Sequence, residues 1–240
     1  MMTPTYIVHV LCEGHTEAGF VSEVLKPYLQ AKGINSVKSI LVKTNKKKGA
    51  EGGVVSYAKV VNDLNNMLKQ QDSPYECHLF TSMIDFYALP NDFPGYKEAM
   101  KINDHYLQVK KLEEAWKEEV GERRFIPYFQ LHEFEALLFA DLDLLKLEVQ
   151  HEKEEEKEKA FSNLYDALKK VDGNPELVNN GVDTAPSKRI IKAVEGKLQW
   201  SYNKPLMGKR VTNAIGMETL LDKCSHFREW INQLLQLIES

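Results

Sequence analysis

Cysteine is scarce in this chain. Only Cys12, Cys77 and Cys224 occur among 240 residues, far apart and with no C-x-x-C pair. That fits a reducing cytosol, with Cys12 and Cys77 serving as small apolar strand residues. No apolar run approaches the about 20 residues of a membrane span. The opening MMTPTYIVHV lacks the basic region and cleavage site of a secretory leader. A cytoplasmic protein with no membrane partner is expected. Positive charge is not in excess either. The formal net charge of −4 gives no global field toward nucleic acid, so any such contact must come from local patches. The pattern G-x-x-x-x-G-K-[ST] is missing, which argues against P-loop nucleotide hydrolysis. HEFE at 132–135 is followed by Ala136, so it is not the H-E-x-x-H of a metalloprotease. No Ser-His-Asp or Cys-His arrangement can be argued from spacing.

What is present is an ordinary globular composition, 43% hydrophobic and 28% charged, in a chain long enough for one large α/β domain with a helical extension. Four short apolar runs read as buried strands: Tyr6–Cys12, Val37–Val42, CHLFTSMID ending at Asp85, and RFIPYFQ. Their apolarity is continuous rather than alternating, as in a parallel sheet covered on both faces. A helical pattern follows each. The first begins near Glu17, with Pro27 expected to kink or shorten it and Gly33 to end it. The second starts near Ser56, the third spans about Asp104–Glu119, and the fourth follows His132. Strand-helix alternation predicts an α/β fold, a Rossmann-like parallel sheet flanked by helices. The expected division is an α/β domain over 1–144 and an all-helical extension over 145–240, packed on or beside the sheet. The charge-dense run HEKEEEKEKAF (151–161) reads as a solvated helix face. The three tryptophans, Trp116, Trp200 and Trp230, fit packing, and His9, His78 and His226 read as core or surface residues.

In parallel sheets, ligands gather outside the carboxyl ends of the strands. Glu13, Asp85 and the group His132, Glu133 and Glu135 all fall at that edge. A strand-end glutamate before glycine has no evident folding task, and Gly14 is expected to allow a sharp turn. Glu17 falls in a first helical turn, where the dipole already favours an anion, and is equally a candidate metal ligand. Carboxylates converging on one spot repel, and a hard cation relieves them best. Mg²⁺ or Mn²⁺ suits such a site, taking one or two carboxylates and keeping waters or phosphate oxygens.

The run VLCEGHTEAGF resembles the first signature of the Toprim fold, whose strand ends in a catalytic Glu-Gly. SMIDFYALPNDFPG stands where that fold carries an Asp-x-Asp motif. Together with HEFEALLF and TAPSKRI, in the same order along most of the chain, these runs resemble a bacterial Toprim-like family of unknown function. The resemblance implies metal-dependent phosphodiester cleavage of a nuclease type. Glu13 would serve as metal ligand or acid/base, and Asp85 as the first aspartate. It also implies a nucleic-acid substrate and, by analogy with Toprim nucleases of anti-phage defence, an ABC-type ATPase partner. The second aspartate is absent, because residue 87 is Tyr. Asp92, folded back by the loop carrying Pro90 and Pro94, is one substitute. Glu133 or Glu135 is another, with His132 and Glu135 expected to share a helix face. The alternative function is a catalytically degenerate module that binds a partner ATPase or a nucleotide in a regulatory role.

Three basic sets remain. Lys46, Lys47 and Lys48 stand in a glycine-bearing loop at the expected active edge. Lys188 and Arg189 follow Pro186 at a helix start, where cations oppose the dipole and need another reason such as phosphate. YNKPLMGKR adds Lys204, Lys209 and Arg210. Lys48, Lys188 and Arg189 are the candidates for phosphate or nucleic-acid contact.

Overall fold

The computed structural model describes residues 4–43, 56–87, 89–179 and 181–239. The lysine loop with Lys48 lies outside the described residues. Five strands form one parallel sheet: β1 (Thr5–Cys12), β2 (Ser36–Leu41), β3 (Glu76–Asp85), β4 (Phe125–Ile126) and β5 (Phe129–Gln130). The order is β2-β1-β3-β4, with β5 also on β3. β1 and β3 are central and run in register from Thr5 opposite Glu76 to Cys12 opposite Met83. The side chains of β1 alternate between two cores. Val8, Val10 and Cys12 face one, and Leu11 faces the other, the period-2 behaviour of a strand covered on both sides.

The second core is closed by α3 (Tyr57–Met67) and α5 (His105–Val120), whose Trp116 is fully buried. Asp104 caps α5 by accepting from Leu107 N–H at 3.0 Å, and Gly121 ends it at φ 65°. Between β3 and α5 lies the short α4 (Tyr96–Ala99).

The first core is closed by a helix that starts as α1 (His15–Phe20) and resumes as α2 (Lys26–Ala31). Between them, Val21–Leu25 forms a wider π turn. The helix runs on past Pro27 to Ala31, so it is not shortened there. The missing N–H and bulky ring of Pro27 are absorbed by the wide turn that precedes it. Gly33, at φ 101°, follows the end of α2.

The expected fourth strand is divided. Pro127 has no N–H for the ladder, so RFIPYFQ becomes β4 and β5 with a break between them. Ser82 bridges the break: its hydroxyl donates to Tyr128 C=O at 3.0 Å and accepts from Tyr128 N–H at 2.8 Å. The segment after His132 is helical as expected, but Phe134–Ala140 is a 3₁₀ helix before α6 (Leu142–Glu148).

The rest of the chain is helical: α7 (Glu154–Lys169), α8 (Pro186–Ile191), α9 (Lys204–Ile215), α10 (Met217–Lys223) and α11 (Ser225–Glu239). These helices share the first core with the sheet, through Phe161, Ile190, Val211, Phe227 and Trp230. Trp230 Nε1 donates to Thr81 Oγ1 on β3 at 2.7 Å, tying α11 to a central strand. Glu176, fully buried, anchors the start of α11 by accepting from His226 N–H at 3.0 Å and Phe227 N–H at 2.9 Å. Among the described residues, no helix is long and apolar enough to cross a membrane.

Candidate functional site: an acidic cluster at the strand ends

β1 and β3 end side by side, which brings the first two candidate residues together. Glu13 Oε2 accepts from Asp85 N–H at 2.9 Å, and Asp85 Oδ1 accepts from Phe134 N–H at 2.9 Å. The two carboxylates thus join β1, β3 and the 3₁₀ segment. Glu17 turns back to accept from Gly14 N–H at 2.8 Å, so it caps its own helix as well as adding charge. Gly14 does not supply the sharp turn expected of it. Its backbone is extended, at φ −149°. What it supplies is clearance, since a Cβ there would lie 3.2 Å from Glu17 Oε2.

Glu133 and Glu135 reach the same region, and neither is a local helix cap. Glu133 Oε2 accepts from Ser187 N–H at 2.9 Å, at the start of α8. Glu135, only 3% exposed, pairs with Lys204 Nζ at 3.1 Å. Lys204 arrives from α9, and Gly208 explains how. A Cβ on Gly208 would stand 2.8 Å from Thr16 Cγ2 and 2.9 Å from Phe134 Cε1. Only a glycine lets α9 sit against both α1 and the 3₁₀ segment. Lys204 lies one turn earlier on the same helix face and so lands on Glu135.

The carboxylates strain one another electrostatically. Burial, reinforced by Glu13, Glu17, Glu135 and Glu133, pushes Asp85 well above the usual carboxylate range. Burial and Glu13 push Glu17 up to about 7. Burial also raises Glu135, although the Lys204 ammonium works against it. For Lys204, burial disfavours the charged form, but Glu135, Glu133 and Asp85 outweigh it and hold the pKa up. Glu13 and Asp85 are half-buried, and Glu17, Glu133 and Glu135 are buried. Among the described residues, no three His, Cys, Asp or Glu side chains are gathered as a preformed metal-ligand set.

A family model described as "Domain of unknown function (DUF4276)" matches residues 12–235. The chain belongs to the DUF4276 family. No curated protein and no solved structure matches it. In this DUF4276 chain the match runs from the end of β1 into α11, so the acidic cluster and its supporting helices all lie within it.

The other candidates have partners of their own. Asp92 is engaged at the start of α3, where Oδ1 and Oδ2 accept from Tyr57 N–H at 3.0 and 3.1 Å. His132 does not share a helix face with Glu135. It precedes the 3₁₀ segment at φ 61°, and its Nδ1 meets Asn179 Nδ2 at 3.0 Å. Its ring packs edge-on against His105, and burial lowers its pKa to about 4, which keeps it neutral. Tyr87 stands where the resemblance expects an aspartate, and its N–H donates to His132 C=O at 2.7 Å. Lys188 and Arg189 line a separate groove between α7 and α8.

Two residues not singled out in the sequence join the site. Lys204 was visible only as one of several cations. Tyr202 is 8% exposed, with its hydroxyl buried and without a hydrogen-bond partner among the described residues. Burial and then Glu135 and Glu133 push its pKa up. The one sequence signal was Asn203-Lys204-Pro205, a helix start that sets both side chains at the mouth of α9.

Proposed function

We propose that the chain is a phosphodiester hydrolase of nuclease type that works with Mg²⁺ or Mn²⁺, its centre built on Glu13 and Asp85. The observation that carries this reading is the crowding of five carboxylates, Glu13, Glu17, Asp85, Glu133 and Glu135, whose mutual repulsion reaches Asp85. So much buried negative charge with one lysine against it is costly unless a cation or protons share the site. The donors fit a hard divalent ion, since all are carboxylate oxygens. Glu13 and Asp85 would hold the ion, with Glu17, Glu133 or Glu135 completing the set. When bound, such an ion polarises a phosphoryl oxygen and lowers the pKa of an attacking water.

The chain's own residues have separate tasks. Glu17, raised to about 7 by burial and by Glu13 in the ion-free chain, would be drawn down by an ion held at Glu13, which favours its carboxylate as a further ligand. Lys204 offsets the charge of Glu135 and stands ready for a phosphate oxygen. The Glu13-Gly14 strand end and the run beginning at Asp85 support a Toprim-like centre on this parallel sheet. A nucleic-acid substrate, and a setting in bacterial defence beside an ABC-type ATPase, follow from that resemblance alone.

Tyr87 favours a second reading, a catalytically reduced module that binds a nucleotide or a partner ATPase. It removes one carboxylate, and the absence of a preformed ligand set among the described residues agrees with that. Cleavage assays on DNA, RNA and tRNA with Mn²⁺ separate the two. Cleavage lost in both Glu13→Gln and Asp85→Asn supports the hydrolase. Cleavage equal in wild type and Asp85→Asn rejects the centre, and no cleavage of any substrate favours the module.

A further inference from the structure

Several lysines and arginines of the described chain are answered by carboxylates. Arg124 meets Asp72 and Glu122, Lys146 meets Glu158, Lys153 meets Glu156, and Lys209 meets Glu23. The groove between α7 and α8 differs. It encloses about 220 Å³ and is lined by Lys170, Lys188, Arg189, Lys192 and Lys197. Among the described residues, none of these five enters an ion pair. Two carboxylates, Asp166 and Asp183, also line the groove, so positive charge remains in excess there.

The cations converge for structural reasons. Lys188 and Lys192 are four residues apart on one helix face, an arrangement that costs a few tenths of a kcal/mol without a counter-ion. Lys192 opens the π turn Lys192–Lys197, whose wider spacing returns Lys197 to the same side. Lys197 Nζ also donates to Lys159 C=O at 3.3 Å, which holds it across toward α7. Arg189 Nε donates to Thr184 C=O at 2.6 Å, which orients the guanidinium. Its Nη1 and Nη2 make no hydrogen bond among the described residues, and burial lowers its pKa with no carboxylate opposing. A planar two-nitrogen fork flanked by ammonium groups is suited to phosphate oxygens.

We propose that this groove binds a ligand through two adjoining phosphates, either the diphosphate of a free nucleotide or successive phosphates of a nucleic-acid strand. Its volume is below the roughly 300–1,000 Å³ of pockets that enclose whole small molecules. The phosphates therefore enter the groove, and the rest of the ligand stays outside. The acidic cluster contributes no residue to this lining, so the two sites stand or fall separately.

The test measures binding in EDTA at low salt, which removes metal-dependent binding at the carboxylates. Calorimetry with inorganic pyrophosphate gives one arm, and fluorescence polarisation of a short labelled single strand gives the other. Wild type is expected to bind at least one probe. Lys188→Gln with Lys192→Gln is expected to weaken that binding by about tenfold or more, with the ligand-free melting temperature not lowered. Arg189→Lys keeps the charge but loses the fork, and it should also weaken binding. Binding of pyrophosphate alone assigns a free nucleotide. Strand binding that pyrophosphate displaces assigns a nucleic acid. Wild type binding neither probe, or a double variant binding as well as wild type, overturns the proposal.

Discussion

Glu13 accepts a hydrogen bond from the backbone N–H of Asp85 at 2.9 Å, so one acid of the cluster holds the strand that carries the other. The contact explains how a glutamate is tolerated at the end of an apolar strand. Its carboxylate has a backbone donor, but that donor sets it beside a second carboxylate. The fold satisfies the hydrogen bonds of these acids far better than their charge.

Asp85→Asn should therefore stabilise the metal-free protein. The substitution keeps an oxygen to accept from Phe134 N–H and removes the charge. Asp85 has its folded pKa raised, so its favourable share of stability is present at low pH and lost as pH rises through that raised value. The variant should gain about 0.5–2 kcal/mol over wild type at pH 8 and much less at pH 4. Denaturant titrations in EDTA at the two pH values measure this.

Gly208→Ala should destabilise by about 1–3 kcal/mol, because the new methyl meets Thr16 and Phe134 well inside contact distance. It should also move Lys204 away from Glu135, so hydrogen exchange at the start of α9 should rise. An alanine variant as stable as wild type would contradict the packing described.

Lys204→Met should cost on the order of 1–2 kcal/mol at pH 8. Breaking a fully buried ion pair costs about 3–5 kcal/mol, but Lys204 is partly exposed and is screened by solvent. With the cation gone, Glu135 should titrate at higher pH, which carboxylate NMR can follow.

His226 and Glu113 give a pH effect away from the site. Burial disfavours the imidazolium, but Glu113, 3.0 Å from His226 Nε2, outweighs it and raises the pKa above 6.5. A raised folded pKa means the pair's stabilisation is full below pH 6.5 and is lost as pH rises through the raised value. Glu113→Gln keeps an acceptor for Phe129 N–H but removes the charge. The variant should fall about 2 kcal/mol below wild type at pH 6, with the gap closing at alkaline pH. A gap that does not change with pH would rule out an ionised pair.

The strand ends were legible in the sequence because β1 and β3 are continuous apolar runs with a carboxylate after them. That alone placed Glu13 and Asp85 at one edge of a parallel sheet. The 3₁₀ character of 134–140 was not legible, since Phe134 to Phe139 are all buried and leave no helical periodicity to read. The partners of Glu133 and Glu135 were hidden for another reason. Ser187 and Lys204 lie more than 50 residues along the chain, and only the seating of α9 on Gly208 and of α8 on Glu133 brings them back. The partners of Asp92 and His132 were not legible, because local spacing cannot show which backbone N–H or side chain a loop residue will meet.

Calorimetric titration of Mn²⁺ and Mg²⁺ into wild type, Glu13→Gln and Asp85→Asn tests the central claim most directly. The cluster described here should bind Mn²⁺ in the wild type and lose that binding in both variants, while all three proteins stay folded. A folded wild type that binds neither ion, or an Asp85→Asn variant that binds as wild type does, would contradict a cation centre at the ends of β1 and β3.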